Sequence, residues 1–97
     1  MSSSSAPLRR VVTIRNQRGL HARAAAKFVK CAALYPAQIT VSKDGTEVVG
    51  QSIMGLMMLA AACGSEIEIT ASGEQAAEAL DALCTLVENG FGELQQQ

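Results

Sequence analysis

The sequence predicts one α+β domain. It reads as an open-faced β-sandwich: a four-stranded antiparallel sheet with three helices on one face, in the order β-α-β-β-α-β-α. Three observations lead there. The length of 97 residues suits one small domain with a single core. Segments of alternating or β-branched apolar residues take turns with Ala- and Leu-rich segments at helical spacing. An Asp-Gly pair between two strand-like segments marks a tight hairpin.

Residues 1–8, Ser-rich and ending just past Pro7, read as a disordered tail, and 93–97 as a polar C-terminal one; the folded domain spans 9–92. The β-branched run Arg10–Arg15 is the first strand, broken by Asn16-Gln17-Arg18-Gly19. Ala22 to about Leu34 is the first helix, with Ala22, Ala25, Val29 and Ala32 as its apolar stripe and Tyr35-Pro36 as its stop. Gln38–Ser42 alternates as a half-buried strand, Asp44-Gly45 turns the chain, and Thr46–Val49 returns. Ser52 is placed to cap a short helix over Ile53–Ala61, which Gly64 stops. Ser65–Ala71 alternates with period 2, a strand with one buried face. Ser72 or Gly73 leads into the final helix, striped by Ala76, Leu80, Leu83, Val87 and Phe91.

Composition removes several functional classes. Three cysteines, Cys31, Cys63 and Cys84, are an odd number without C-x-x-C spacing, so neither a disulfide framework nor a zinc site is expected. Reduced, mostly buried thiols in a cytoplasmic protein are the expectation. The N-terminus lacks the apolar core of a signal peptide. Within the uncharged run Val48–Ser65, the segment Gln51–Gly64 is 14 residues, short of the ~20 that a membrane span requires. Three aromatics and no Trp are poor equipment for stacking on single-stranded nucleic acid. Net charge is −1, but all eight Lys and Arg lie within residues 1–43 and all nine Asp and Glu within 44–97. This split predicts a basic surface around the first helix and an acidic one turned away from partners.

Chemistry concentrates in Gly19-Leu20-His21-Ala22-Arg23-Ala24. The only histidine stands where a glycine-containing loop meets a helix N-terminus. There the N–H groups of residues 22–24 lack helical acceptors and, with the helix dipole, form an anion cradle. Arg23 can make a charge-assisted, bidentate contact to phosphoryl oxygens, and Arg18 flanks the loop as an auxiliary. An imidazole with an ordinary pKa of ~6.5 is mostly neutral near pH 7, hence nucleophilic, and the positive helix end disfavours its charged form. A lone histidine before a helix is most often only a cap or surface residue. The glycine, the arginines and the basic surroundings bring a phosphoryl-acceptor reading level with that one.

The segment Gly19-Leu20-His21-Ala22-Arg23-x-Ala25-Ala26 resembles the active-site signature of HPr-type phosphocarrier proteins of the bacterial phosphotransferase system. Gln51-Ser52-Ile53-Met54-Gly55-Leu56-Met57 resembles their regulatory serine segment, and the likeness covers about residues 9–92 with the same element order. The resemblance implies a relay protein, not an enzyme. It implies that His21 takes a phosphoryl group on Nδ1 from phosphorylated Enzyme I and passes it to a IIA-type protein. Ser52 would be the substrate of HPr kinase/phosphorylase where the host has one. No cofactor or metal is implied beyond the transient covalent phosphoryl group. A cytoplasmic monomer is expected, with no nucleic acid and no membrane insertion. Sugar-uptake and nitrogen-related branches both remain open.

One position departs from the family pattern. Where it has Pro after the Arg, this chain has Ala24, which keeps a backbone donor and gives up some rigidity. A working, slightly retuned site is expected. Ala24→Pro should therefore change the phosphotransfer rate only modestly, and a chain inert until that substitution is made would contradict this.

Ser before a short helix is most often just an N-cap. The helix after Ser52 is unusual, because Ile53, Met54, Leu56, Met57, Met58 and Leu59 leave it little polar face. A small domain cannot bury every side of it, so part of it is expected to be an exposed Met-rich patch suited to several partners. By position, Ala22, Arg23, Ala26, Lys27, Ile53, Met54 and Met57 are the docking candidates. The rival readings are a module binding an anionic metabolite through the basic end, with His21 only a contact, and an RNA-binding domain.

Overall fold

The computed structural model describes residues 6–93. It contains β1 (Leu8–Thr13), α1 (Ala22–Ala32), β2 (Gln38–Lys43), β3 (Thr46–Val49), α2 (Ile53–Met58), β4 (Glu66–Ser72) and α3 (Ala76–Glu88), followed by a 3-10 turn over Gly90–Gly92. The four strands form one antiparallel sheet in the order β1-β4-β2-β3. The three helices cover one face and the other is open, as the sequence predicts.

Strand alternation explains the layering. Val12, Ile39, Val41, Ile67, Ile69 and Ala71 point inward and are buried against Phe28, Leu56, Leu83 and Val87 of the helices. Outward residues such as Arg9, Thr70 and Thr40 lie side by side across the register. The β2–β3 hairpin turns on Asp44 and Gly45 with φ of 51° and 86°, the paired left-handed conformation that an Asp-Gly turn supplies.

Several boundaries differ from the expectations. β1 begins at Leu8 because β4 is long enough to pair with it, Leu8 opposite Ala71 and Thr13 opposite Glu66. Leu8 therefore belongs to the sheet and not to a tail; residues 1–5 and 94–97 of the expected tails lie outside the described residues. The buried face of α1 is Ala24, Ala25, Phe28 and Ala32, while Ala22 is exposed. The one bulky aromatic of the helix claims the core and rotates the stripe toward itself. α2 ends at Met58, before Gly64, because Ala60 enters the left-handed region at φ 52°. α3 starts at Ala76, behind a left-handed Gln75. Phe91 lies beyond that helix, in the 3-10 turn, with φ 55° between Gly90 at 64° and Gly92 at 80°.

That turn has a consequence for the site. Two glycines that tolerate positive φ allow the chain to reverse, and burial of Phe91 supplies the driving force, about 1.5–3 kcal/mol for a side chain of this kind. Lys27 Nζ donates to the Phe91 carbonyl at 2.7 Å and fixes the reversal against α1. The chain end is thereby turned back toward the start of that helix.

Candidate functional site

The loop between β1 and α1 is held at both ends. Ile14 N donates to Ser65 O and Gly64 N to Ile14 O, both at 2.8 Å, and Leu20 N donates to Ala61 O at 2.9 Å. The loop thus rests on the segment that joins α2 to β4. Gly19 has φ 68°, and a Cβ there would lie 2.5 Å from Ala61 O and 3.0 Å from Ala62 Cα. Backbone cannot move away as a side-chain tip can. Gly19→Ala combines strain with a main-chain clash and should cost about 2–4 kcal/mol; a chemical denaturation midpoint equal to wild type would contradict the close approach.

His21 is the N-cap residue of α1, with extended backbone at φ −79° and ψ −179°. Its carbonyl accepts the first helical bond, from Ala25 N at 2.8 Å. The N–H groups of Ala22, Arg23 and Ala24 precede that bond and have no acceptor within the helix. The His21 ring makes no capping bond. It turns instead to Glu93, with Nε2 and Oε2 2.6 Å apart and the two side chains only 18% and 19% exposed.

This contact decides which ring nitrogen is available. A carboxylate only accepts, so Nε2 must carry the hydrogen. In the neutral ring Nδ1 then holds the lone pair. The ring nitrogen left with a free lone pair is therefore Nδ1, on the residue that begins α1.

Asn16 completes the arrangement. Its side chain is fully buried, and Nδ2 donates to Gly19 O at 2.8 Å and to Glu93 Oε1 at 2.9 Å. Burial alone would raise the Glu93 carboxyl. Hydrogen bonds from Asn16 and His21, together with the nearby charges of His21 and Arg18, outweigh it and hold the carboxyl below its usual range. A carboxylate with a depressed folded-state pKa contributes stability above its unfolded value of about 4.3, and loses it as pH falls through the lower folded value. The melting-temperature gap between wild type and Glu93→Gln should therefore be widest above about pH 5 and close on acidification. A gap constant down to pH 2 would refute the pairing.

Arg23 is exposed in the first turn of α1, beside the open N–H groups. Arg18 is exposed on the loop, near enough for its charge to act on Glu93. Ala24 is buried. Ser52 Oγ accepts from Gly55 N at 2.9 Å and so caps α2. Leu56 and Leu59 are buried, whereas Ile53, Met54, Met57 and Met58 are exposed, Met54 by 72% and Met58 by 76%. α1 and α2 pack against each other, which joins the apolar patch to the helix that begins at His21. Ala26 is half-buried, and Lys27 is exposed with its ammonium held by Phe91 O.

Three expectations need correction. Glu93 is not part of a tail but the partner of His21, so the acidic set does not all face away from the basic one. The two halves also interleave, because β1 pairs with β4 and Arg10 reaches Asp81 on α3 at 3.7 Å. Charge separated along a chain is not separated in space when its ends pair in one sheet. The thiols are likewise less uniformly buried than expected: Cys84 is buried, Cys31 half-buried and Cys63 exposed. Burial pushes the Cys31 and Cys84 thiols up, which disfavours their thiolates.

The family model described as the PTS HPr component phosphorylation site matches residues 8–89. The chain belongs to the HPr family of phosphocarrier proteins. HPr of Cupriavidus necator is 46% identical over 86 residues, covering 89% of this chain and 97% of that protein. The crystal structure of HPr-C-His from Thermoanaerobacter tengcongensis superimposes with a TM-score of 0.85 at 42% identity, over 89% of this chain and 97% of the other. An HPr dimer from the same organism matches with a TM-score of 0.71 at 44% identity, over 84% and 94%. An HPr is a phosphoryl carrier of the phosphotransferase system and not an enzyme, so partners must supply the catalysis. Among the described residues, no helix is long and apolar enough to cross a membrane.

Proposed function

We propose that this HPr-family chain accepts a phosphoryl group on His21 Nδ1 from phosphorylated Enzyme I and donates it to a IIA-type protein. The observation that supports this reading most directly is the 2.6 Å contact between Nε2 and Glu93, which leaves Nδ1 as the free nitrogen at a helix N-terminus. Attack by the Nδ1 lone pair on the donor phosphorus forms the N–P bond as the bond to the donor histidine breaks. The N–H groups of residues 22–24 and the Arg23 guanidinium then receive the phosphoryl oxygens, with Arg18 in support. Imidazolium character develops as the bond forms, and the Glu93 carboxylate at Nε2 is placed to stabilise it. No cofactor takes part; the cargo is the covalent phosphoryl group.

The exposed patch of Ile53, Met54 and Met57, with Ala22, Ala26 and the stem of Lys27, is the docking face in this reading. Ser52 at its edge is the regulatory phosphorylation site, acted on by HPr kinase/phosphorylase where one is present. The chain works as a cytoplasmic monomer. The test is a two-step relay with labelled phosphoenolpyruvate, Enzyme I, this chain and a panel of IIA proteins from the sugar and nitrogen-related branches. Label should reach a IIA protein only when the chain is included, and the acceptor that fills fastest identifies the branch. If the chain never takes label, a module binding an anionic metabolite becomes the better reading.

A further inference from the structure

Asn16 is fully buried beneath the site loop, and its amide is used unequally. Both Nδ2 hydrogens are engaged, one by Gly19 O and one by Glu93 Oε1, while Oδ1 has no partner. The opposite orientation is excluded, because Oδ1 would then face a carbonyl and a carboxylate, neither of which can donate. A buried acceptor is thus left unsatisfied so that two donors can be delivered, an arrangement that folded proteins seldom keep without a reason. The two recipients are the loop carbonyl two residues before His21 and the carboxylate that holds the His21 ring.

We propose that Asn16 is a positioning residue for phosphoryl acceptance. It fixes Glu93, and through Glu93 it fixes the His21 ring with Nε2 protonated and Nδ1 open. One Nδ2 bond ties the amide to the loop and the other ties the chain end to the amide, so the β1–α1 loop and the turn after α3 share a single support. Without it, Glu93 Oε1 loses its donor inside the site. The carboxylate then turns toward solvent, and the ring samples the Nδ1–H tautomer, which cannot attack phosphorus through Nδ1.

This inference rests on His21 as the acceptor, but its test needs no phosphoryl transfer, so the two can fail separately. The ring nitrogens of His21 in the unphosphorylated chain report the tautomer through their ¹⁵N shifts. Wild type should show Nε2–H as the dominant form. Asn16→Ala should raise the Nδ1–H share several-fold, and its rate of acceptance from phosphorylated Enzyme I should fall about tenfold. In the Glu93→Ala background the same substitution should leave the tautomer ratio unchanged, because the intermediary is already gone. An equal shift in both backgrounds, or no shift in a folded Asn16→Ala chain, would overturn the proposal. If Asn16→Ala does not fold, the wild type still decides. The Asn16 side-chain amide and the His21 ring resonances should share an inflection at the pH where the Glu93 carboxyl takes up its proton, and an inflection at Glu93 that neither group shares would overturn it equally.

Discussion

His21→Ala should abolish phosphoryl acceptance from phosphorylated Enzyme I, an expected loss of more than about a thousandfold, while the chain remains folded. The expectation joins two separate facts about this residue. Its ring is the only imidazole in the chain, and no other nucleophile shares its place at the start of α1. Its structural share is small, because the ring caps nothing and makes one hydrogen bond, to Glu93. Losing a charge-assisted bond of that kind costs about 1.5–3 kcal/mol. A modest drop in melting temperature beside complete loss of acceptance is therefore the expected pattern. Residual label on the variant, traced to another side chain, would show that the acceptor is elsewhere.

The second large effect is at Ser52. Ser52→Asp should lower phosphotransfer from Enzyme I by about 30- to 100-fold at limiting concentration, equivalent to about 2–3 kcal/mol of docking. Its stability should hardly change. Aspartate caps as well as serine does, and its charge lies at the favourable end of α2, so the Gly55 N–H keeps an acceptor. The penalty falls on the complex, where a charge must be desolvated beside the exposed Ile53, Met54 and Met57. Ser52→Ala supplies the control with the opposite signature: about 1 kcal/mol less stable through loss of the cap, with docking kept. Equal rates for Ser52→Asp and wild type under these conditions would remove Ser52 from the docking face.

Much of the molecule is readable from local sequence signals, and the unread part has one physical character. The period-2 strands, the Asp44-Gly45 turn, the Ser52 cap and the His21 helix start are each set by neighbours within a few residues, so pattern finds them. The turn of α1 toward Phe28 depends on tertiary packing, which overrides helix spacing when one bulky residue can fill the core, and the end of α2 at Met58 goes with a left-handed Ala60 that no residue type there announces. Glu93 and Asn16 are separated by 77 positions, and His21 and Glu93 by 72. No spacing rule connects them. The cue that does exist is Gly90-Phe91-Gly92 directly after a long helix: two permissive residues around one large aromatic, which is the composition of a chain reversal with a buried anchor. An acidic residue one step past such a reversal is aimed back into the fold. Asn16 carries a weaker cue still, since an asparagine in a loop ordinarily signals only a turn.

In the proposed relay Nδ1 of His21 carries the phosphoryl group, because Glu93 occupies Nε2. The most direct measurement is ³¹P and ¹⁵N NMR of the ¹⁵N-labelled chain after incubation with phosphoenolpyruvate and Enzyme I. A single acid-labile, base-stable phosphoryl group is expected, with ¹⁵N–³¹P coupling at Nδ1 of His21. Coupling at Nε2, or phosphate on any other residue, would contradict it.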